Sequence, residues 1–559
     1  MTMVEEGEMA HSHSTLSDDP VLPQWRLICI GFSLAFGLFI SLLDTTIVAT
    51  ALYTIGADLK SFNQINWVAL AYTLAYLGCA VIFARLADIT GRRNAYIAAF
   101  LIFFAFSLGC GFAQTLNQLI VCRVLQGIGG SGLYSLTFVI FPEILPPSKV
   151  QMIGAMAGAV VAIAGILGPV LGGIITHYTT WRWIFWINAP MGIGPLILFI
   201  IAWPKPHQIR HIPLRSIREL DVIGALLIIA ASVLVVFSFQ GAGLQPDSWH
   251  TALFIAPLTI GCLCYIALFI WEILVSRFWE DSFATMFPLR LMKRRVYMGY
   301  VLTTLLGGFP YFLIIYTLPL RLQVVNDKSQ LIAGVALLPM IGSVAVASTL
   351  AGIINTRKSY IFPTLLIGSL LMVIGAATLS TLDNVLEIEP KMYGFQVFMG
   401  LGFGLTVSTV SLGGALECEL RDNTVAQGII AQVRVLGGSI GIAAATAIQS
   451  VTQRRDLSGI ITEQQLASLQ DSAKNMTPEQ LFAVRKAYSD SFSLSLKVCA
   501  ALAGAGALAT FMTWQRRPVD FHIRREEQAR EERERLEKEG LTRARIDADE
   551  VSEKGKVAS

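Results

Sequence analysis

Three charged residues lie inside long apolar stretches of this sequence: Asp44, Arg123 and Arg434. A charge near the centre of a membrane helix costs roughly 2.5–3.5 kcal/mol on insertion scales, so such residues generally have a function. A carboxylate in this setting can bind and release a proton, and a nearby guanidinium can bias that equilibrium. Asp44 and Arg123 therefore predict a proton-coupling pair, although a fixed structural ion pair is the alternative. Two interpretations of Arg434 remain: it has a role in transport, or it lies near the inner mouth without such a role.

Arg123 shares one helix face with polar and small residues. Gln126 and Gly127, then Gly130, then Tyr134 follow it at helical spacing. We expect this face to look into protein or a water-filled cavity, with Gln126 and Tyr134 as candidate cavity residues. Judged by position along their spans, further candidates for an apolar and aromatic pocket are Trp67, Tyr72, Tyr76, Tyr311 and Tyr316.

A second cluster occupies the short segment between Arg85 and Arg93. Gly91 permits a tight reversal between two helices, and Asp88 can pair with Arg92 or with a basic side chain of the other half of the chain. Basic residues alone would be an ordinary anchor on the inner side of a membrane, but an acid has no use in such an anchor. We therefore predict that Asp88, Gly91, Arg92 and Arg93 are more than such an anchor.

A third cluster consists of small residues around one proline. The spacing of Gly165, Gly168, Gly172 and Gly173 makes a thin helix face that suits close contact with another helix. Pro169 removes the hydrogen bond to the carbonyl of Gly165 and should bend the helix. Such a helix suits a moving interface, and plain glycine-rich packing is the alternative.

Composition places these residues in a membrane protein. The chain has 559 residues, of which 54% are hydrophobic and 14% charged, and 24 of its 81 charged residues lie in the last 44 positions. The rest of the chain carries too little charge for a water-soluble surface, since roughly 25% is usual in globular proteins. Aperiodic glycines and dilute cysteines also exclude collagen-like and disulfide-framework chains. A polytopic helical membrane protein remains.

Fourteen apolar stretches are long enough to cross a bilayer as helices, which takes about 20 residues each. With a cytoplasmic N-terminus, sixteen Lys and Arg residues fall in inner loops and five in short outer loops. This bias predicts that both termini are cytoplasmic, which favours twelve or fourteen spans over thirteen. The predicted spans are 26–54, 66–86, 95–113, 118–141, 151–176, 183–203, 221–240, 252–272, 297–320, 330–353, 360–380, 392–415, 425–450 and 492–514.

Span counting predicts an all-α fold of two six-helix bundles with two additional central helices. The segments are an N-terminal tail (1–25), a first bundle (26–203), a two-helix insert with its flanking loops (204–296), a second bundle (297–514) and a charged tail (515–559). We expect a long outer loop at 451–491 with a short interfacial helix that begins near Thr477, because Pro478 suits a first helical position. Mixed charges at 524–539 predict a solvated, partly helical tail.

Several other functions find no support in the sequence. The polar, acidic N-terminus indicates that the first span is not a cleaved signal peptide. Scattered histidines and cysteines within apolar stretches lead us to expect no metal site and no cofactor. No phosphate-binding loop and no basic face with aromatic residues occur, so neither ATP nor nucleic acid is an expected partner. We expect a monomer whose partners are protons, a small organic substrate and the lipid bilayer.

The motifs resemble those of the major facilitator superfamily, in particular its fourteen-span drug:proton antiporter family of fungal toxin and multidrug efflux type. Over about residues 35–450, four segments match family motifs in the same order: Leu43–Ala49, Ala84–Arg93, Arg123–Gly127 and Gly168–Gly173. The resemblance implies proton coupling at Asp44 and Arg123 and gating at the second motif. It also implies that the fourth motif marks an exporter.

The chain departs from the family pattern at three positions. Tyr53 stands where the first-span motif usually has proline, Ala84 where the loop motif usually opens with glycine, and Ile89 where a basic residue is common. We expect the first two to affect helix-end geometry and the third to weaken the charge cluster of the gate.

We therefore predict a proton-driven exporter, not an enzyme, for small and largely apolar compounds such as toxins, drugs or secondary metabolites. Substrate would bind between the halves of an inward-open state, and protonation of Asp44 from outside would favour the return. A proton-coupled importer like the related siderophore carriers is the alternative, and an integral-membrane enzyme or receptor fits least. The expected location is the plasma membrane, with the vacuolar membrane as the alternative.

Overall fold

The computed structural model describes residues 23–59, 66–144, 152–204, 221–242, 250–278, 289–328, 330–419, 422–461 and 476–516, together with 523–524, 527–528, 530–531 and 534. Within these residues the chain forms fourteen long helices. They are α1 (Gln24–Asp58), α2 (Asn66–Thr90), α3 (Arg92–Phe112), α4 (Leu116–Ile144), α5 (Met152–Tyr178), α6 (Asn188–Ala202), α7 (Val222–Ala242), α8 (Ala252–Phe278), α9 (Arg295–Val324), α10 (Leu338–Lys358), α11 (Ile361–Leu379), α12 (Lys391–Glu417), α13 (Asn423–Leu457) and α14 (Pro478–Thr510).

The long helices coincide with the predicted spans. Among the described residues, thirteen helical segments are long and apolar enough to cross a membrane. The remaining long helix is α5, which has 27 residues. One-turn or two-turn helices precede α6, α9 and α10 at Trp183–Trp186, Leu289–Met292 and Gln330–Val335. The predicted polytopic all-α fold is confirmed.

The chain divides into two compact units, Met1–Leu220 and Asp221–Ser559. In the first unit, α2 and α3 both pack on α4, α1 packs on α5, and α6 contacts α1 and α3. In the second unit, α10 and α11 both pack on α12, α9 packs on α13, and α14 contacts α9 and α11. Each unit therefore contains a six-helix bundle with the same pattern of helix pairs.

The two helices of the predicted insert belong to the second unit by their contacts. Helix α7 packs on α8 and also on α13. A hydrogen bond from Nε2 of Gln432 to Oγ of Ser232, 3.3 Å long, joins α13 to α7. The insert is thus attached to a helix of the second bundle.

The predicted outer segment 451–491 is partly helical. Helix α13 continues to Leu457 and α14 already begins at Pro478, so the helix expected near Thr477 is the start of α14, and residues 462–475 lie outside the described residues. Thr477 caps this helix: its Oγ1 accepts from the backbone N–H of Gln480, whose side chain accepts from the N–H of Thr477. No glycine or proline follows Pro478 until Gly504, so nothing interrupts the helix.

The prediction of a solvated tail is wrong at Gln528, which is 1% exposed. Its Nε2 donates to the carbonyl oxygens of Ala415, Leu416 and Cys418 at 3.0, 3.2 and 2.6 Å. Carbonyls at the end of α12 have no partner within the helix, so a side chain from the tail satisfies them. Exposed charges such as Arg530 lie nearby in the sequence.

Candidate functional site

The first unit buries Asp44 completely and surrounds it with hydrogen-bond donors. Arg123 of α4 donates from Nη1 to Oδ2 and forms an ion pair. Gln126 and Asn188 donate from their amide nitrogens to Oδ1 at 3.0 and 3.1 Å. A buried carboxylate is tolerated only when charge-assisted hydrogen bonds offset its lost hydration, and this one has three.

Arg123 is held on several sides. Its Nε donates to the carbonyl oxygen of Val68 at 3.0 Å, and its Nη1 donates to Oε1 of Gln126 at 2.9 Å. The guanidinium lies 4.2 Å from the ring centroid of Tyr72, a cation–π contact. Tyr72 in turn donates to the carbonyl oxygen of Ser41, one turn before the carboxylate on α1, at 2.9 Å. Two predicted cavity residues, Gln126 and Tyr72, therefore belong to the Asp44 cluster itself.

Asn188 is a member of this cluster that the sequence analysis missed. Its Nδ2 also donates to Oγ of Ser107 at 2.9 Å, and this hydroxyl donates to the carbonyl oxygen of Phe185 at 2.8 Å. The available signal is that Asn188 is the single Asn or Gln in the predicted span 183–203. An amide in such a span needs a buried partner, and here the partner is Asp44.

The cluster places one carboxylate against one guanidinium. Removal of either charge would leave the other buried without its counter-ion, and a buried unpaired charge is strongly unfavourable. The two side chains therefore depend on each other.

The predicted gating element forms an ion-pair cluster. Nη1 of Arg92 lies 2.6 Å from Oδ1 of Asp88, and Nη1 of Arg85 lies 3.5 Å from Oδ2. Arg92 also pairs with Glu143 at the end of α4, with Nη2 3.1 Å from Oε1. The sequence analysis missed Glu143, although it is an acid beside Pro142 at a predicted inner end. This cluster ties together α2, α3 and α4.

Gly91 makes the reversal between α2 and α3 with a φ of 86°. A side chain is rarely tolerated at this backbone angle, so the predicted role of Gly91 is supported by its geometry. Arg93 lies apart from the ion pairs: it is exposed, and its Nη2 is 3.5 Å from the carbonyl oxygen of Ile200. The structure thus brings Asp88 and Arg92 together but leaves Arg93 outside their cluster.

The glycine-rich helix α5 packs directly on the motif of α1. A Cβ added at Gly168 would lie 2.0 Å from Oγ1 and 2.6 Å from Cβ of Thr46. Oγ1 of Thr46 donates to the carbonyl oxygen of Ala164 at 3.0 Å. By contrast, a Cβ at Gly165 would meet no atom of the described residues within 4 Å. Gly168 is therefore required for close contact, whereas Gly165 is not; α5 continues through Pro169, Gly172 and Gly173 to Tyr178.

The predicted aromatic cavity residues have different environments. Tyr72, Tyr76 and Tyr134 are buried in one row, with ring centroids 5.8 and 5.6 Å apart. Trp67, at the start of α2, is 37% exposed. In the second unit, Tyr311 stacks on Phe403 with centroids 3.6 Å apart, and Tyr316 is 48% exposed. Tyr311 is thus a packing residue in this conformation.

Arg434 is 5% exposed on α13. Within the part of the chain that the structure describes, no carboxylate forms an ion pair with it, and its Nη2 has no hydrogen-bond partner. The described residues also contain no group of three His, Cys, Asp or Glu side chains that could hold a metal ion.

Two six-helix bundles of apolar helices with the same pattern of helix pairs are typical of membrane transporters that are built from internal repeats. The chain belongs to the Major Facilitator Superfamily, whose family model matches residues 34–442. It is a multi-pass membrane protein.

Curated relatives agree with this assignment. "MFS-type transporter FPY5" of Fusarium mangiferae is 32% identical over 508 residues, which cover 88% of this chain and 84% of that protein. "Efflux pump roqT" of Penicillium rubens is 28% identical over 509 residues, which cover 89% of this chain and 92% of that protein. "Multidrug resistance protein 3" of Bacillus subtilis is 29% identical over 452 residues, which cover 80% of this chain and 85% of that protein.

Solved structures show the same fold at low sequence identity. A bacterial homologue of the human lysosomal transporter Spinster, in an inward-facing and unoccupied conformation, superposes with a TM-score of 0.56 at 15% identity. The match covers 89% of this chain and 100% of that chain. The proton:xylose symporter XylE superposes with a TM-score of 0.51 at 12% identity, over 85% of this chain and 94% of that chain.

Proposed function

We propose that the protein exports small, largely apolar organic compounds in exchange for protons, by alternating access. The buried Asp44 carboxylate with its three donors carries this proposal, because it is a site where one proton changes the charge of a tightly packed cluster. The proton gradient is the proposed energy source, without ATP, a metal or another cofactor.

The proposed coupling has two states. With Asp44 ionised, Arg123 and the two amides hold α1, α4 and α6 together. With Asp44 protonated, the ion pair is lost and Arg123 must find other partners, which favours a second conformation. Substrate and proton then drive transport because each binds one of the two conformations better.

The inner-loop ion pairs are the proposed gate. Asp88, Arg92 and Glu143 bridge the ends of three helices, so a rearrangement of these helices has to break or re-form charge-assisted bonds. The gate therefore provides a second set of interactions whose strength differs between conformations.

The direction of transport is proposed from the relatives and from α5. Relatives named as an efflux pump and a multidrug resistance protein support export. The close contact of Gly168 with Thr46 supports a role for the exporter-type motif at the coupling helix α1. Import, as in siderophore carriers, is the competing direction. We propose a monomer in the plasma membrane with both termini in the cytoplasm, and the vacuolar membrane as the other candidate location.

Efflux from cells of a pump-deficient host, loaded with the neutral fluorophore N-phenylnaphthylamine, tests the function. We expect efflux that stops when a protonophore collapses the proton gradient. Asp44→Asn should abolish the gradient-dependent part, because the amide cannot be protonated and cannot pair with Arg123 as an anion.

Glu387→Gln is a matched control, since it removes an exposed carboxylate outside the cluster and should leave efflux unchanged. Equal amounts of each variant in the membrane have to be verified. Efflux that persists without a gradient, or full coupling in Asp44→Asn, would contradict the proposal. Accumulation of the fluorophore would indicate import.

A further inference from the structure

Arg434 differs from Arg123, which is also a buried arginine of a predicted span. Arg123 has Asp44 as its counter-ion and a carbonyl and an amide as further acceptors. Arg434 is nearly as buried, yet no carboxylate pairs with it among the described residues, and its Nη2 donates no hydrogen bond there. A buried guanidinium without an anion is unstable, so an anion from another source would be strongly favoured at this position.

The helix around Arg434 is shaped by small residues and aromatic rings. Gly438 lies one turn further on the same face, and a Cβ there would be 2.4 Å from the ring of Phe312. Phe312 packs edge-on to Tyr311 and Phe403, with centroids 5.6 and 6.4 Å away. Phe312 therefore contacts the turn of α13 that follows Arg434.

The opposite side of α13 is already occupied. Gln432, two residues before Arg434, donates to Ser232 of α7 and so fixes that side to the insert. Arg434 is thus not needed to attach α7, and this structural role belongs to Gln432. What remains for Arg434 is an interaction that the described residues of its unit do not supply.

We infer that Arg434 binds the negatively charged group of anionic substrates, and that the preferred substrates are aromatic or amphipathic organic anions such as carboxylates, sulfonates or acidic phenols. The transport part of its test rests on the proposed function. Among the largely apolar compounds of that function, those with one anionic group are then the better substrates, and neutral ones are transported without the help of Arg434. A guanidinium presents several donors in one plane and suits a carboxylate or sulfonate well.

Two fluorophores with closely similar rings test this inference. Anilinonaphthalene sulfonate carries one negative charge, and N-phenylnaphthylamine has no charged group. Saturable binding of each to the purified full-length protein, and gradient-driven efflux of each from cells, are measured for wild type, Arg434→Gln, Arg434→Lys and Arg455→Gln. Arg455 is an exposed arginine on the same helix and provides the matched control.

We expect Arg434→Gln to weaken binding and efflux of the sulfonate by about tenfold or more, the usual scale for a hydrogen bond to a charged group. N-phenylnaphthylamine should change less than about twofold, which also shows that the variant is folded. Arg434→Lys should recover part of the sulfonate transport, and Arg455→Gln should resemble wild type.

Equal losses for both fluorophores would overturn the inference, because they indicate a structural role or an ion pair with another part of the protein. Wild-type protein that does not bind the sulfonate would overturn it as well. The proposed function fails separately, namely when efflux of either fluorophore is independent of the proton gradient.

Discussion

At the scale of single residues, the protein combines one titratable group with several fixed donors. Asp44 is the group whose charge can change, and Arg123, Gln126 and Asn188 are arranged around its two oxygens. Because all four side chains are buried, a change at one of them alters the hydrogen bonding of the others. The proposed coupling follows from this shared burial.

A second carboxylate of α1 provides a contrast at the end of the helix. Asp58 accepts hydrogen bonds from Nε1 of Trp181 at 2.9 Å and from Nη1 of Arg182 at 3.0 Å. These donors, Trp181 before Arg182, hold the pKa of Asp58 below its usual value. The stabilisation is therefore complete above the unfolded-state pKa of about 3.9 and is lost only as the pH falls through the lower folded-state pKa.

We predict that Asp58→Asn lowers the thermal unfolding temperature by a small amount that is the same at pH 5 and pH 8. The contact is partly exposed, so it contributes about 0–1 kcal/mol. Thermal unfolding of the purified wild type and of Asp58→Asn at both pH values measures this difference in unfolding temperature, and Glu387→Gln is the control. A difference that disappears at pH 5 would show that the carboxylate is already protonated there, which requires a folded-state pKa above its usual value and not below it.

The sequence predicts the charged pair better than its surroundings, for a physical reason. Asp44 and Arg123 are visible because a charge is out of place in an apolar helix, whatever its neighbours. Asn188 and Glu143 are recognised only through their partners, since a lone amide or an acid at a helix end has many possible roles. Which side chains meet depends on how α1, α4 and α6 pack, and spacing along one helix does not determine that.

At the scale of helices, close packing of α5 on α1 places the glycine-rich motif against the helix that carries Asp44. The decisive feature is the absence of a side chain at Gly168, which leaves room for Thr46 and the backbone of Ile47. The predicted small-residue face is thus used unevenly: Gly168 is essential for contact, whereas a side chain at Gly165 would contact none of the described atoms within 4 Å. Sequence spacing could not distinguish the two.

We predict that Gly168→Ala lowers the thermal unfolding temperature and reduces efflux. Its Cβ would overlap Thr46, and such overpacking typically costs about 1–3 kcal/mol. Gly165→Ala is the matched control on the same helix: its Cβ meets nothing within 4 Å, so it should be neutral or slightly stabilising. Equal effects of the two substitutions, in unfolding and in efflux, would contradict this account of α5.

At the scale of the whole chain, the two units repeat one arrangement of six helices, and the second unit also holds the insert and part of the tail. Counting the spans predicts this repeat, because the count uses only the lengths of the apolar stretches. The contact of the tail with the second unit could not be predicted from the sequence, because the charges around Gln528 are typical of a solvated segment. The side-chain amide of Gln528 makes the decisive contact, with the last carbonyls of α12. The residues next to Gln528 in the sequence do not indicate this contact.

We predict that Gln528→Ala releases the tail from the second unit. It removes three hydrogen bonds to buried carbonyls, and leaving such groups unsatisfied costs about 1–3 kcal/mol. Trypsin should then cleave the tail of the membrane-embedded protein about fivefold faster or more. Glu534→Gln, at an exposed position, is the control and should not change the rate. Equal cleavage rates for wild type and Gln528→Ala would show that this contact does not hold the tail.

The central claim is that export of substrate and entry of a proton are one event at Asp44. Proteoliposomes that contain substrate and a pH-sensitive dye, with no proton gradient imposed, test it directly. We predict that outflow of substrate acidifies the lumen with wild-type protein, and that Asp44→Asn abolishes this acidification. Outflow of substrate without acidification in wild type, or equal acidification in Asp44→Asn, would contradict the account.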